Sequence, residues 1–531
     1  MELKHLLLMF CLFFISSVLI AKDYYINPGK GNDESDGLSK TKAWKSLNKV
    51  SSFTFLAGDS ILFQSGEIFY GKLVLNGNGT AENPIFIGRY GHGTNPEIRN
   101  PRVVNEWKNI GDSLWGAKDN ELNQDVGAIF VLDYSGNVKY TYWQKRNEMK
   151  DVSVIGDFWG NGLSANGYFA VVKSPNNISP ILISGKGTQV IASLHDNSIA
   201  IKGNRHIIID GLAIRFGGSH GISISDNAQN IVVRNCNISY IGGCEIYTGY
   251  NGRYGNGIEI WGSADGVLIE KNRIWEIYDT GFTHQYSGPL VQYQRNIVFR
   301  NNIVSNVGLS SIESWNTCSV GIGSMENIYV ENNTFHNSGI ECWACDQQNR
   351  RNFFPNTGKI GAHYAFLSSN ARITDFYIRN NIFSNSYDMM IFVNGEFNHG
   401  NEYDSGFYEI NSTNNLFYNE LKTINQTRIL VDMHTAKSQN LYALSFYAGD
   451  FKSLESSYPL QHSGKYGNPH FKNANRLDFL IDKRSAAYEQ GVDLSNKSNY
   501  PTGIDYHFSG DISGYGRLQN GTMDIGAVEV K

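Results

Sequence analysis

Five segments of the chain repeat one pattern: NIVVRNCNI from Asn230, GVLIEKNRI from Gly266, NIVFRNNIV from Asn296, NIYVENNTF from Asn327 and DFYIRNNIF from Asp375. RHIIIDGLAI, from Arg205, is a weaker copy. Each alternates apolar and polar residues, then carries a polar pair rich in Asn, then a second short apolar run. Alternation with a period of two belongs to strands. The copies start 36, 30, 31 and 48 residues apart, so one structural unit is joined by loops of varying length. Successive copies run in the same direction only after a full circuit of chain, which excludes an array of hairpins. A coil of parallel strands satisfies the pattern, with rungs stacked at about 4.8 Å around one continuous core. Its crossovers are expected to be right-handed. Asn235, Asn301, Asn332 and Asn380 share one template position and are expected to stack as a ladder of side-chain amides. Lys271 interrupts that column, with Asn272 one place later.

Composition narrows the function. The chain has 531 residues, with 45 basic and 50 acidic side chains and a net charge of -5, so no basic surface argues for nucleic acid. Aromatic residues at 13%, together with 55 glycines, suit a β protein that handles a polar, non-ionic ligand. The N-terminus has Lys4, an apolar run from Leu6 to Ile20 and a small residue at Ala21. That reads as a secretory signal peptide over residues 1–21, and the mature protein is expected outside the cytoplasm, in the periplasm or beyond, with no membrane span. Five cysteines remain after the signal: Cys236, Cys244, Cys318, Cys342 and Cys345. They are too few for a disulfide framework. Cys342-x-x-Cys345 lacks the further ligands that a structural zinc needs, so a local disulfide or buried thiols is the preferred reading.

The repeat, the opening DYYINPGKGNDESDGLSKTKAWKSLNKVSSFTFLAGDSILFQSGEIFYGKL and the closing DIGAVE at Asp524–Glu529 resemble the secreted right-handed parallel β-helix proteins of the pectin-lyase-like superfamily. The resemblance implies an all-β solenoid. It leaves the reaction open, since that fold hosts lyases, hydrolases, epimerases and inert scaffolds. The expected organisation is first coils and a cap over 22–102, a small β insertion over 103–185, main coils over 186–440, and final coils with a cap over 441–531. An uncapped solenoid end would expose strand edges and core.

A second strand precedes each template strand: SIAIKG from Ser198, HGISIS from His220, NGIEIW from Asn256, TGFTHQ from Thr280 and SIESWN from Ser311. With Ile199, Ile222, Ile258, Phe282 and Ile312 inward, alternation sends Ala200, Ser223, Glu259, Thr283 and Glu313 outward. Two residues on, the outward column reads Lys202, Ser225, Trp261, Gln285 and Trp315. A slip of one residue would bury the acids and expose the aliphatics. Indole stacks on the apolar face of a sugar ring, and carboxylates and amides bond sugar hydroxyls. Trp261, Trp315 and Gln285 beside Glu259 and Glu313 therefore read as a carbohydrate subsite. The competing reading folds long loops over this face and makes the tryptophans core.

Asp279 stands at a strand entrance, where the polygalacturonase branch of the superfamily places catalytic aspartates. SHGISIS at Ser219–Ser225 loosely resembles that branch's Gly-His-Gly segment, but the order of elements differs and no mechanism carries over. His220 is a candidate substrate contact or turn cap. His284 aligns with inward positions, so a core histidine competes with a substrate contact there. Arg253 is a nearby cationic candidate.

Three classes remain. A glycoside hydrolase would take its acid and base from Glu259, Glu313 and Asp279 and needs no cofactor. A polysaccharide lyase acting by β-elimination on a uronate would need a base such as Lys202, His220 or Arg253, with Ca²⁺ or Arg on the acid group. A non-catalytic glycan-binding scaffold is the third. The hydrolase is favoured because the face is acidic or neutral. The expected partner is a polysaccharide or oligosaccharide, and the protein is expected to be a monomer.

Overall fold

Each copy of the repeat is a strand, a sharp turn and a second strand. In the GVLIEKNRI copy these are Ala264–Glu270 and Arg273–Ile277, and Ile258–Trp261 precedes them as the third strand of the coil. In a computed structural model, the described residues are 21–185, 187–246, 252–321, 323–340, 342–343, 361–367, 371–393, 408–432, 444–457, 461–494, 510–517 and 522–530. The signal segment thus falls outside the described residues, apart from Ala21. Rung after rung, the three strands build an eleven-stranded template sheet and two ten-stranded sheets. One ten-stranded sheet holds the strands after the Asn pair; the other, here the site sheet, holds Ile258–Trp261 and its equivalents. The fold is the expected right-handed parallel β-helix. The NIVFRN and NIYVEN strands pair in parallel, Ile297 with Ile328 and Phe299 with Val330.

The inward positions form one core from Tyr24 to Leu454. Along it, Phe282, Phe299, Phe335, Phe383 and Phe417 stack, with successive centroids 4.8, 6.3, 5.2 and 5.2 Å apart. Phe335, Phe383 and Phe417 are register partners in consecutive rungs of one sheet, the natural outcome of a parallel ladder, while Phe282 and Phe299 reach the stack across the core from the other two sheets. On the outer face of the template sheet, the position before the turn alternates in sign. Arg234 pairs with Asp210 at 2.8 Å, Arg300 with Glu270 at 2.9 Å, and Arg379 with Glu331.

The amide ladder forms one residue later than expected. Asn235, Lys271, Asn301, Asn332 and Asn380 instead adopt left-handed backbone, with φ of 53° to 57°. Asn tolerates that conformation best among side-chain-bearing residues, which explains the column, and the turn also accepts Lys271. The buried ladder is Asn272, Asn302, Asn333, Asn381 and Asn415, each Nδ2 donating to the next Oδ1 at 3.0 to 3.1 Å. Asn302 Nδ2 also donates to the Ile269 and Arg300 carbonyls at 2.9 Å, and its Oδ1 accepts the Asn272 backbone N–H at 2.9 Å. Asn302→Ala is therefore expected to cost about 2–4 kcal/mol in urea unfolding, because several buried groups lose their partner at once. Lys271→Asn, at the left-handed turn, should change stability by less than about 1 kcal/mol.

The insertion leaves and rejoins the coil without breaking the stack. Ile85–Tyr90 pairs with Arg205–Asp210, and Glu97–Arg99 with Ala213–Arg215, across it. Its two small, largely antiparallel sheets run from Pro101–Val103 to Gln189–Leu194. The helix Leu47–Ser51, capped by the Ser46 side chain, covers the N-terminal end with Trp44. The template sheet and its neighbour run on to Gln461–His462 and Lys465–Tyr466, past residue 440. The closing DIGAVE lies along the flank of the coil, where Gly526 N–H reaches the Asn380 carbonyl at 2.8 Å and Arg517 reaches Asn332 Oδ1 at 2.8 Å. No helix among the described residues is long and apolar enough to cross a membrane.

Candidate active site

The register of the site sheet is the one the alternation requires. Ile222 pairs with Ile258, Ser223 with Glu259 and Ser225 with Trp261. Glu259 then pairs with Thr283, and Thr283 with Glu313; alongside, Trp261 pairs with Gln285, and Gln285 with Trp315. Ile258, Ile260, Phe282 and Ile312 are core, so the acids and tryptophans face away from it. The same outward column turns apolar beyond Glu313, where Ala365 and Phe392 join Leu367 in a small cluster against which Trp315 packs. The polar patch thus occupies the rungs from Ser223 to Glu313.

This face is covered rather than open. Glu259 is 5% exposed, Glu313 0%, Gln285 4% and Asp279 4%, while Trp261 and Trp315 are half-buried. Trp261 lies against Tyr286, centroids 5.7 Å apart, and Trp315 Nε1 donates to Thr317 Oγ1 at 2.8 Å. Asp279 and Glu313 are both engaged by neighbours. Two buried polar atoms on the patch, Thr283 Oγ1 and Gln285 Oε1, have no hydrogen-bond partner among the described residues. Thr283 stands between the two glutamates. Buried polar groups are almost always satisfied, and both atoms remain able to accept a hydrogen bond.

A ladder at the entrance of the strands orients the site. His220 N–H donates to Asn197 Oδ1 at 3.1 Å, Asn256 N–H to His220 Nδ1 at 3.1 Å, and Thr280 N–H to Asn256 Oδ1 at 3.2 Å. Rungs approach closely here: a Cβ on Gly257 would lie 2.6 Å from the Gly281 carbonyl oxygen. Because His220 Nδ1 accepts, its proton sits on Nε2, which faces Glu259 Oε2 at 2.9 Å. Gln285 Nε2 donates to the other oxygen, Oε1, at 2.9 Å.

The sequence reading missed the groups around this ladder. His195 Nε2 and the Tyr254 hydroxyl are 2.6 Å apart, and that hydroxyl donates to Ser219 Oγ at 3.0 Å. Burial pushes the Tyr254 phenol up and the His195 imidazole down, so both stay uncharged near neutral pH. Lys145 of the insertion bonds Asp125 and lies 3.6 Å from Glu245, and the Glu245 N–H donates to Asp125 Oδ2 at 2.8 Å. A histidine before a polar turn and a tyrosine in a Gly-rich loop have no periodicity to mark them. The insertion's approach to the coil is set by tertiary packing.

Of the candidate contacts, His284 takes the core alternative and Arg253 is a structural group. His284 is fully buried inside the coil, stacked beside Phe282 at 5.7 Å and bonded to Ser314, and burial pushes its imidazole down to about 3. Arg253 is a buried clamp. Its guanidinium donates to the Gly243, Gly127 and Trp143 carbonyls and lies over the Tyr278 ring at 4.6 Å, tying the insertion to the hairpin Cys244–Glu245/Arg253–Tyr254. Cys342 is disulfide-bonded, which leaves it no thiolate for zinc, and Cys345 lies outside the described residues. Cys236, Cys244 and Cys318 are buried thiols. Among the described residues, no three His, Cys, Asp or Glu side chains converge so as to hold a metal ion.

No protein-family model matches the chain. Over 120 residues it is 32% identical to alpha-1,3-galactosidase A of Akkermansia muciniphila, a match covering 20% of each chain. The chain thus spans about a fifth of the length of that curated relative. Among solved structures it is similar to a glycoside hydrolase (TM-score 0.46, 10% identity, 87% of this chain and 99% of that one). It is also similar to pectate lyase Pel9A (0.41, 13%, 97% and 98%) and to a lacto-N-biosidase from Eubacterium ramulus (0.34, 13%, 84% and 68%).

Proposed function

We propose that the chain is a carbohydrate-active enzyme, a glycoside hydrolase acting on a polysaccharide or oligosaccharide outside the cytoplasm. The observation that carries this reading is the column Glu259, Thr283, Glu313, in which two carboxylates stand two rungs apart and a buried hydroxyl with no partner among the described residues lies between them. Two rungs span about 9.6 Å at the backbone. Glutamate side chains can narrow that to the roughly 6.5–9.5 Å at which an inverting hydrolase fits a water between base and sugar. Glu259 accepts a hydrogen bond on each oxygen, which suits a base; the acid comes from Glu313 or Asp279. Thr283 and Gln285 would bond sugar hydroxyls or the water, and Trp261 would stack on a ring.

The lyase reading is weaker on this geometry. Its candidate bases are committed elsewhere: Arg253 in the clamp, His220 to Glu259 and Asn256, and exposed Lys202 beside Asp226 at 3.5 Å. Tyr254, another group able to take a proton, has its phenol pushed up by burial. A lyase would also need Ca²⁺ or an arginine on the uronate.

The test is a panel of glycans, with α-1,3-linked galactosides first because of the partial match to a galactosidase, then galactans, xylans, pectate and alginate. New reducing ends without the ultraviolet absorbance of an unsaturated uronate are expected. Appearance of that absorbance would make the protein a lyase, and binding without cleavage would make it a scaffold. On the glycan turned over, Trp261→Ala is expected to weaken binding by about 1–2 kcal/mol, the scale of lost aromatic contact, with the melting temperature nearly unchanged. A variant that unfolds would show Trp261 to be core beneath a loop.

A further inference from the structure

The Glu259 carboxylate is gripped from both sides, and one grip is itself fixed by the neighbouring rungs. His220 Nε2 holds Oε2 at 2.9 Å, and Gln285 Nε2 holds Oε1 at 2.9 Å. The imidazole has no freedom to serve anything else. Its Nδ1 takes the Asn256 N–H at 3.1 Å, its own backbone N–H is bonded to Asn197, its ring is edge-on to Tyr254 at 5.1 Å, and it is 6% exposed. Both ring nitrogens are therefore used, one by the fold and one by Glu259. A base with no free lone pair takes no proton from a substrate, and a ring so enclosed offers no edge to a sugar.

We propose that His220 is a positioning residue, which aims the Glu259 carboxylate through an imidazole whose tautomer the coil itself dictates. The main chain of the next rung thus sets the direction of an acid side chain: Asn256 N–H selects the Nε2–H tautomer, and Nε2–H selects the Glu259 rotamer. Residues that orient a metal ligand from one bond away typically cost about 10–100-fold when lost, and a loss of the same order is expected for one that orients a catalytic carboxylate. The inference rests on the reading of Glu259 as the catalytic base.

The experiment has two arms on the full chain. The first needs no substrate: the ¹⁵N imidazole spectrum of histidine-labelled protein, with His220 assigned from His220→Gln. The expected result is a neutral ring protonated on Nε2, whose Nε2–H resonance moves in Glu259→Gln. A ring protonated on Nδ1, or a resonance indifferent to Glu259→Gln, overturns the proposal. The second arm is kinetic, on α-1,3-galactobiose or, if that is not cleaved, the panel glycan that is. His220→Ala should lower kcat about 10–100-fold with KM within about twofold. His220→Gln, which keeps an N–H at the same reach, should recover part of the loss, and His220→Ala/Glu259→Gln should be no slower than Glu259→Gln alone. Losses that multiply in the double variant, or that fall in KM, make His220 an independent substrate contact and overturn the proposal. Full activity in Glu259→Gln would remove the base assignment instead, and the spectrum alone then decides whether His220 positions Glu259.

Discussion

Turnover is expected to fall by about a hundredfold or more in both Glu259→Gln and Glu313→Gln, the usual scale for a lost general acid or base. The fold should survive both changes, since Gln is isosteric and each side chain faces away from the coil core. The pH profiles separate the roles. Loss of the base removes the acidic limb of a bell-shaped profile, and loss of the acid removes the alkaline limb. If Asp279 rather than Glu313 is the acid, Asp279→Asn shows the large loss and Glu313→Gln a small one. Near-normal activity in all three would end the carboxylate mechanism.

The second large effect is on stability. Burial pushes His284 and His363 down to about 3 and His336 to about 4 from an ordinary 6.5. Each is neutral in the folded chain at pH values where the unfolded chain binds a proton. Folded pKa below unfolded pKa means that their contribution is complete above about pH 6.5 and is lost as pH falls toward 3–4. At pH 4.5 each should have cost about 2–3 kcal/mol, with a slope of about 1.4 kcal/mol per pH unit per histidine. Glu529 works in the opposite sense. Burial pushes its carboxyl up to about 8, so its folded form gains as pH falls from 8 toward 4.5. Urea unfolding at pH 7 and pH 4.5 is therefore expected to show net acid loss in the Glu529→Gln background. His284→Gln should flatten the slope by one proton, and an unchanged slope would mean that His284 is not held neutral in the core.

The repeat determined most of what the coil is. Period-two alternation and a constant motif at irregular spacing allow no other way to bury Ile231, Val267, Ile297, Ile328 and Phe376 together, and those residues are core. The outward columns through Glu259 and Glu313 were equally legible, because a one-residue slip would have turned every aliphatic outward. The amide ladder was legible only to within one residue. Two adjacent Asn positions look alike in a string, and only backbone geometry decides which takes the left-handed turn and which points inward.

What the sequence could not determine are contacts between parts of the chain that share no period. Lys145 meets Asp125 and Glu245, Arg253 locks onto carbonyls of the insertion, and Tyr254 comes to rest between His195 and Ser219, each through packing of loops and an inserted sheet. The alternation also says which side of a strand faces out but not whether something covers that side, so the burial of Glu259 and Glu313 was invisible in it. Local pattern sets direction along and across a strand, because that is backbone stereochemistry. Enclosure, pairing and tautomer depend on what arrives from elsewhere, and only the tertiary structure decided them.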